Sequence, residues 1–307
     1  MAVVARWLTE AHSSETPTER RSTDRMRAII ADPGGIGFTM RFVDRVARHR
    51  QDVLAAEQLV RLVTDRDLPG FLGRMDRLML QVGARLPPAL PWLVLPLARR
   101  RLRQLVGHMV VDAAPGPMHD HLARRRTDGY AMNVNLLGEA VLGEGEASRR
   151  FERTLELIRD PAVDYVSVKV SAIASQINLW ALDHPVERIK VRLRVLYGRA
   201  AATGSGGAPT FVNLDMEEYR DLEITIRAFT ELLDEPDLRS TDAGIVLQAY
   251  LPDAFDALRR LTRWADARRE AGGGQIKIRL VKGANLAMER VDSATHGWVQ
   301  APYATKA

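Results

Sequence analysis

Five short apolar runs in this sequence each carry a polar side chain at a matching place near the end of the run. The clearest run is 276–285, where Arg279 lies inside an alternating apolar segment and Lys282 ends it. Alternation with period two is typical of a short β-strand. Three cations, two carboxylates and an amide gathered at one place could hold a charged small molecule and an electron-poor cofactor, because buried charges need partners. The other members of the set are Glu139, Lys169, Asp215 and Gln248.

Each of these residues also has an ordinary structural explanation when it is taken alone. Glu139 and Asp215 could cap helices. Gln248 could be a buried hydrogen bonder, and Lys169 could be a lone charge on a strand. As a set, they are predicted to surround one mouth of a barrel, because sites in parallel barrels lie at the carboxyl ends of the strands.

The elements that would position this set alternate between strand and helix from about residue 130 onward. We predict an α/β fold, a (βα)8 TIM-barrel-like domain of about five and a half βα units. The predicted strands are 131–139, 165–171, 210–215, 244–250 and 276–282, with a sixth beginning near Tyr303. The predicted helices are 147–159, 186–203, 218–233, 253–269 and 286–295.

Residues 1–128 are predicted to form an all-helical arm, so the predicted domains are 1–128 and 129–307. Residues 1–24 are polar and are expected to be a frayed start. After them, apolar residues recur at helical spacing between glycine and proline breaks. The most apolar stretch, 86–98, is too short and too rich in proline to span a bilayer.

Composition excludes several functional classes. The 307 residues contain no cysteine, which excludes disulfides, thiol catalysis and thiolate metal sites, and we predict no metal site. The net charge of +5 is spread over a mixed surface. The arginine runs 99–101 and 124–126 lack the interleaved aromatic residues of single-strand binders, so they favour a solvated helix face or dimer rim over a nucleic-acid partner. No signal-peptide pattern precedes them, and a cytoplasmic protein is expected.

Several motifs in residues 128–307 resemble those of the proline dehydrogenase family. They are Val-Ser-Val-Lys-Val-Ser-Ala (166–172), Asn-Leu-Asp-Met-Glu-Glu (213–218), Leu-Gln-Ala-Tyr (247–250) and Ile-Arg-Leu-Val-Lys-Gly-Ala (278–284). Leu137-Gly138-Glu139 resembles the first-strand motif of that family, and Tyr303-Ala304-Thr305-Lys306 resembles its sixth-strand segment. The match is closest to the proline dehydrogenase region of the bifunctional proline utilisation A flavoenzymes.

This resemblance implies a distorted (βα)8 barrel that binds FAD without a Rossmann fold. The sequence agrees, since no Gly-x-Gly-x-x-Gly follows a predicted strand. The implied reaction oxidises L-proline to 1-pyrroline-5-carboxylate by hydride transfer to flavin N5, and electrons then pass to a membrane quinone. The resemblance further implies peripheral contact with the inner face of the membrane, assembly into a homo-oligomer and an aldehyde dehydrogenase domain downstream.

The resemblance also assigns cofactor contacts to individual residues. Arg279 would lie by the N5 and O4 edge of the flavin and stabilise its reduced form. Gln248 would hydrogen-bond the isoalloxazine, while Lys282 and Gly283 would lie along the cofactor. The contacts towards the ribityl-ADP part would come from Thr305 and Lys306.

The substrate end is assigned in the same way. Lys169 and Asp215 would lie by the proline, with Asp215 orienting either Lys169 or the substrate amine. Glu139 resembles the carboxylate that pairs with a substrate-binding arginine when the site is empty.

Two features depart from the family pattern. Asn285 stands where an aromatic residue is usual, which is expected to weaken proline binding. The sequence ends near the sixth strand, before the paired-arginine helix of the family, so we expect a piece of a longer flavoenzyme that alone binds FAD poorly. Two other interpretations stay open: a non-catalytic interaction or dimerisation module, and a Schiff-base (βα)8 lyase using Lys169 or Lys282.

Overall fold

The computed structural model describes residues 2–47, 51–64, 68–85, 96, 100, 114–136, 141–202 and 209–304. Its Cα positions divide the chain into two compact units, Met1–Pro117 and Met118–Ala307. Within the described ranges, none of the helices is long and apolar enough to cross a membrane.

The described part of the first unit is built from helices. They are α1 (Ala2–Ser14), α2 (Pro17–Ala31), α3 (Gly35–Phe42), α4 (Asp52–Thr64) and α5 (Arg74–Arg85), with a π-helical turn at Val43–Ala47. Apolar residues at helical spacing form the core of this unit, among them Phe38, Phe42, Val46, Leu59 and Leu72. The predicted helical arm is therefore confirmed for the described residues.

The expectation of a frayed start is wrong, because residues 2–14 and 17–31 are helical. Local capping explains the second helix. Glu19 N donates to Thr16 Oγ1 at 3.3 Å, and Thr16 N donates to Glu19 Oε2 at 2.9 Å, which is a capping box, with Pro17 at the first helical position. In α1, the ion pair of Arg6 with Glu10 joins consecutive turns at 3.0 Å.

The second unit contains a parallel sheet of five strands in the order β1-β2-β3-β4-β5. The strands are β1 (Val134–Asn135), β2 (Tyr165–Lys169), β3 (Phe211–Asp215), β4 (Ala243–Gln248) and β5 (Ile276–Val281). The helices are α6 (Pro115–Thr127), which contains the division between the units, α7 (Glu144–Arg159), α8 (Val170–Ile173), α9 (Asp183–Ala202), α10 (Leu222–Leu233), α11 (Ala254–Glu270) and α12 (Leu286–His296). The predicted alternation of strand and helix is confirmed. The first strand is shorter than the predicted 131–139, and residues 137–140 lie outside the described ranges.

The two faces of the sheet have different compositions, as period-two alternation requires. One face packs against the helices through the main core, with Val166, Leu214, Ile245 and Ile278 among its residues. The register places Lys169 beside Asp215 and Val246 beside Arg279. The polar residues of the opposite face therefore meet at the carboxyl ends of neighbouring strands.

Candidate active site

Two ion pairs lie at the carboxyl end of the sheet. Arg279 Nη2 is 2.9 Å from Asp215 Oδ1, which joins β5 to β3. Lys169 Nζ is 2.6 Å from Glu217 Oε1, which joins β2 to the loop after β3. Only 12% of the Lys169 side chain and 13% of the Asp215 side chain are exposed, so both charges are largely removed from water. Partners are therefore needed, and each cation has a carboxylate.

Asp215 receives hydrogen bonds from two neighbouring amide side chains as well as from Arg279. Asn213 Nδ2 donates to Oδ1 at 2.8 Å, and Asn135 Nδ2 donates to Oδ2 at 3.1 Å. The Ser167 side chain helps to lower the pKa of the carboxyl. Burial raises the pKa of Asp215, and the Arg279 guanidinium is the strongest of the groups that oppose this rise.

Gln248, at the end of β4, connects two loops of the site. Its Nε2 donates to the backbone oxygen of Glu217 at 3.1 Å, and its Oε1 accepts from Ala284 N at 3.3 Å. The amide thus holds the loop that pairs with Lys169 and the loop that follows β5.

The Lys282–Gly283 turn packs directly on Tyr250. Tyr250 N donates to the backbone oxygen of Lys282 at 3.1 Å, whereas the Lys282 side chain is exposed. Gly283 has φ +115°, and a Cβ at this position would lie 2.4 Å from the Tyr250 ring. Only glycine fits such a turn without displacing the ring.

Three of the predicted site residues, Glu139, Thr305 and Lys306, lie outside the described residues. The chain approaches the last two through Tyr303, whose backbone N–H donates to Tyr250 O at 2.8 Å. The structure brings together Lys169, Asp215, Gln248 and Arg279, and it places the Lys282–Gly283 turn beside the end of β4.

Sequence reasoning did not single out the partners of these residues. Asn135, Ser167 and Asn213 act on Asp215, and Glu217 rather than Asp215 forms the hydrogen bond to Lys169. The signal for the first three was available: each lies two residues from another polar residue in an otherwise apolar strand, and therefore on the same face. Glu217 lies in a loop, and in a loop no periodicity predicts the direction of a side chain.

A parallel sheet whose charged side chains gather at the carboxyl ends of its strands defines an α/β protein of the (βα)-barrel class. The sequence profile of the proline dehydrogenase family matches residues 118–307. The proline utilization A protein (PutA) of Corynebacterium freiburgense is 50% identical, with a TM-score of 0.62 over 78% of this chain and 24% of its own. PutA of Bdellovibrio bacteriovorus, in a form inactivated by N-propargylglycine, is 24% identical, with a TM-score of 0.61 over 94% of this chain and 31% of its own.

A third similar structure, PutA of Bradyrhizobium japonicum, is 20% identical, with a TM-score of 0.54 over 95% of this chain and 30% of its own. The last two likenesses, at low identity, concern the fold alone. No curated protein matches the chain. The chain spans less than a third of the length of the PutA chains it matches. It belongs to the proline dehydrogenase family, whose domain it carries over residues 118–307.

Proposed function

We propose that this chain contributes the flavin and substrate site of an FAD-dependent proline dehydrogenase, which oxidises L-proline to 1-pyrroline-5-carboxylate. The observation that carries the proposal is Arg279, a cation at the carboxyl end of a barrel strand whose direction is set by Asp215 at 2.9 Å. A fixed cation suits a ring that gains negative charge on reduction.

The residues present fit the cofactor in one respect. Arg279 Nε is buried and has no hydrogen-bond partner within the described ranges, so a donor remains for an acceptor on a ligand. The missing side chain at Gly283 makes room for the Tyr250 ring, which packs on the β5–α12 turn. Under this proposal, Arg279, Gln248, Lys282 and Gly283 hold FAD, with Thr305 and Lys306 towards its ribityl-ADP part.

The substrate end would use the remaining charges. Lys169 attracts the carboxylate of a zwitterionic amino acid, while Asp215 and Glu217 offer oxygens to its amine. Glu139 is proposed to pair with a substrate-binding arginine in the absence of substrate. When bound, FAD would supply the hydride acceptor, and a membrane quinone would be the final electron acceptor. The residues of the chain orient the substrate and stabilise charge.

The wider assembly is proposed from the family alone. It includes a cytoplasmic enzyme with peripheral contact at the inner face of the membrane, a homo-oligomer, and an aldehyde dehydrogenase domain downstream. The domain division at residues 128 and 129 belongs to the same proposal. The Schiff-base alternative gains no support from Lys169, because its Nζ is engaged by Glu217 at 2.6 Å.

An anaerobic FAD titration of the purified chain, followed by L-proline, tests the proposal. Because this piece alone is expected to bind FAD poorly, the titration is carried to excess FAD, and the bound fraction should show a flavin band near about 450 nm that bleaches with proline. Arg279→Gln should slow bleaching by about 100-fold or more, because one charge-stabilising donor is lost. Lys277→Gln is the matched control, since it removes a cation from the same strand; Lys277 Nζ lies 4.8 Å from the Tyr165 ring centre, away from Asp215.

Three results would count against the proposal. Wild-type chain that retains no FAD would remove the cofactor site from this chain. Retained FAD that proline does not bleach would remove the reaction. Trapping of a carbonyl substrate on Lys169 or Lys282 by borohydride would favour the lyase instead.

A further inference from the structure

The inner face of β1, β2 and β3 carries three amides and a hydroxyl, buried or half-buried, beneath the Asp215–Arg279 pair. Asn213 is fully buried and Ser167 is 3% exposed. Asn133 and Asn135, from β1 and the residues just before it, complete the group. Aliphatic side chains usually fill the interior of a parallel barrel, so a polar group at this depth needs a reason.

The hydrogen bonds of Ser167 have a defined direction. Its Oγ accepts from Asn133 Nδ2 at 2.8 Å and from Asn213 Nδ2 at 3.3 Å. A hydroxyl has two lone pairs and a single proton. With both lone pairs used by amide donors, the hydroxyl proton is the part of Ser167 left to face Asp215, whose pKa Ser167 helps to lower. Asn133 thus orients a hydroxyl that acts on Asp215, without contacting Asp215 itself.

All the neighbours of the Asp215 carboxylate act as donors. They are Asn213 at 2.8 Å, Asn135 at 3.1 Å, Arg279 at 2.9 Å and Ser167. A protonated Asp215 would need an acceptor, and an amide N–H or a guanidinium offers none. The charged groups facing Asp215 are Arg279 from β5 and Lys169 from β2, and Glu217 neutralises Lys169. The surroundings therefore fit the ionised carboxylate in one orientation.

We propose that Asn133, Asn135, Ser167 and Asn213 are positioning residues that form a polar frame, which keeps Asp215 ionised and fixed so that Arg279 holds one direction toward its ligand. Asn135, Ser167 and Asn213 act on Asp215 directly, and Asn133 acts through Ser167. The frame itself rests on hydrogen bonds of the chain alone. Only the last step, from Arg279 to the flavin, rests on the proposed function.

The first test needs no cofactor. The titration of the Asp215 carboxyl is followed by ¹³C NMR in the full chain, with Asp215→Asn to assign the signal. In Ser167→Ala, the proton affinity of Asp215 should rise about tenfold, since a side chain that lowers the pKa of this carboxyl is lost. Ser167→Thr should restore it. Asn133→Ala should produce a smaller rise in the same direction, although Asn133 makes no hydrogen bond to Asp215 among the described contacts.

Thr225→Val is the matched control, because it deletes a fully buried hydroxyl in α10. It should leave the Asp215 titration unchanged. Circular dichroism and urea unfolding identify variants that do not fold, and Asn133→Ala then serves in place of Ser167→Ala. Folded Ser167→Ala and Asn133→Ala chains that both titrate like the wild type would overturn the frame.

The second test measures the midpoint potential of bound flavin. We expect a more negative potential in Ser167→Ala than in the wild type or Ser167→Thr, because a less firmly held Arg279 stabilises the reduced flavin less. A shifted Asp215 titration with an unchanged potential would overturn the step from frame to cofactor. If the wild-type chain retains no FAD, the proposed function fails, while the ¹³C titration still decides whether the frame exists.

Discussion

At this site, two cations each form an ion pair with a carboxylate that lies on a different strand or loop. Lys169 and Arg279 each already hold a carboxylate, Glu217 and Asp215 respectively. A zwitterionic substrate brings one charge of each sign, so it can exchange partners with these pairs without leaving a charge uncompensated. Under the proposed function, we therefore expect the site to select zwitterions over simple carboxylates.

Gly283 is the residue for which the backbone argument is strongest. Gly283→Ala combines a positive φ, which costs a non-glycine residue roughly 1–2 kcal/mol, with a contact of 2.4 Å to the Tyr250 ring. Gly297→Ala is the matched control, because Gly297 also has a positive φ (+68°) and no atom within 4 Å of the added Cβ. Urea unfolding should show a larger loss for Gly283→Ala, together with weaker FAD binding. Equal losses would mean that the ring contact relaxes freely.

Asp221 is predicted to make stability depend on pH. It is 3% exposed, and burial, followed by the nearby Glu218, raises its pKa to about 7. An unfolded Asp titrates near about 3.9, so between about pH 4 and 7 the folded state binds more protons than the unfolded state. The free energy of unfolding should therefore fall as pH rises through this window.

Asp221→Asn should abolish that dependence and raise the free energy of unfolding at pH 8 by on the order of 2–4 kcal/mol. Asp256→Asn, an exposed carboxylate in the first turn of α11, is the control and should change little. Urea unfolding at pH 5 and pH 8 measures both variants. A steep pH dependence that persists in Asp221→Asn would assign it to another group.

At the scale of elements, the parallel units could be predicted because alternation and apolar runs survive in the sequence. Four of the predicted strands and all five following helices lie within a few residues of the observed ones. The start of α2 was not predicted. Thr16 and Glu19 lie in a polar stretch, and the reciprocal hydrogen bonds that stabilise the first turn of the helix leave no apolar pattern in the sequence. Lys169, Asp215, Gln248 and Arg279 could be placed at the site because each lies at or near the end of a predicted strand. Their ion pairs and hydrogen bonds could not be predicted, because these depend on side-chain directions that sequence spacing does not fix.

Arg268 fixes the connection between α10 and β4. Its guanidinium is buried and donates to the backbone oxygens of Leu233, Leu238 and Thr241, the last two at 2.9 and 3.2 Å. These carbonyls lie between the end of α10 and the start of β4. The oxygen of Leu238 also accepts from Thr241 N at 3.0 Å, whereas the oxygens of Leu233 and Thr241 would lose the guanidinium as a donor. The Arg268 side chain therefore fixes the start of β4, the strand that ends at Gln248.

Arg268→Lys should lower the free energy of unfolding by about 3 kcal/mol, since a single ammonium replaces at least two charge-assisted hydrogen bonds of roughly 1.5 kcal/mol each. Arg263→Lys, at an exposed position of the same helix, should change it by less than about 0.5 kcal/mol. Chemical denaturation of the two variants gives the comparison. A loss in Arg268→Lys no larger than in Arg263→Lys would show that water replaces the lost donors.

At the scale of the whole molecule, the two units have separate cores. The first is centred on Phe38, Phe42 and Leu59, and the second packs the sheet against α7, α9, α10 and α11. The described residues of the candidate active site lie in the second unit, on strands whose register is set by that core and on the loops that follow them. The positions of the site residues therefore depend on how the strands pair in the sheet. Residues on neighbouring strands contribute more to the site than residues that are adjacent in sequence.

We predict that the edge of this sheet affects association between copies of this chain. Among the described strands, β5 pairs with β4 alone, and its Leu280 is 56% exposed. An apolar edge with free backbone groups is a template for pairing with another chain. Leu280→Lys should reduce concentration-dependent association measured by light scattering, because a charge on the edge opposes such pairing. Val191→Lys adds the same charge at a helix position that is 57% exposed, and it should have little effect. If both variants reduce association equally, general surface charge is the cause and the edge strand is not.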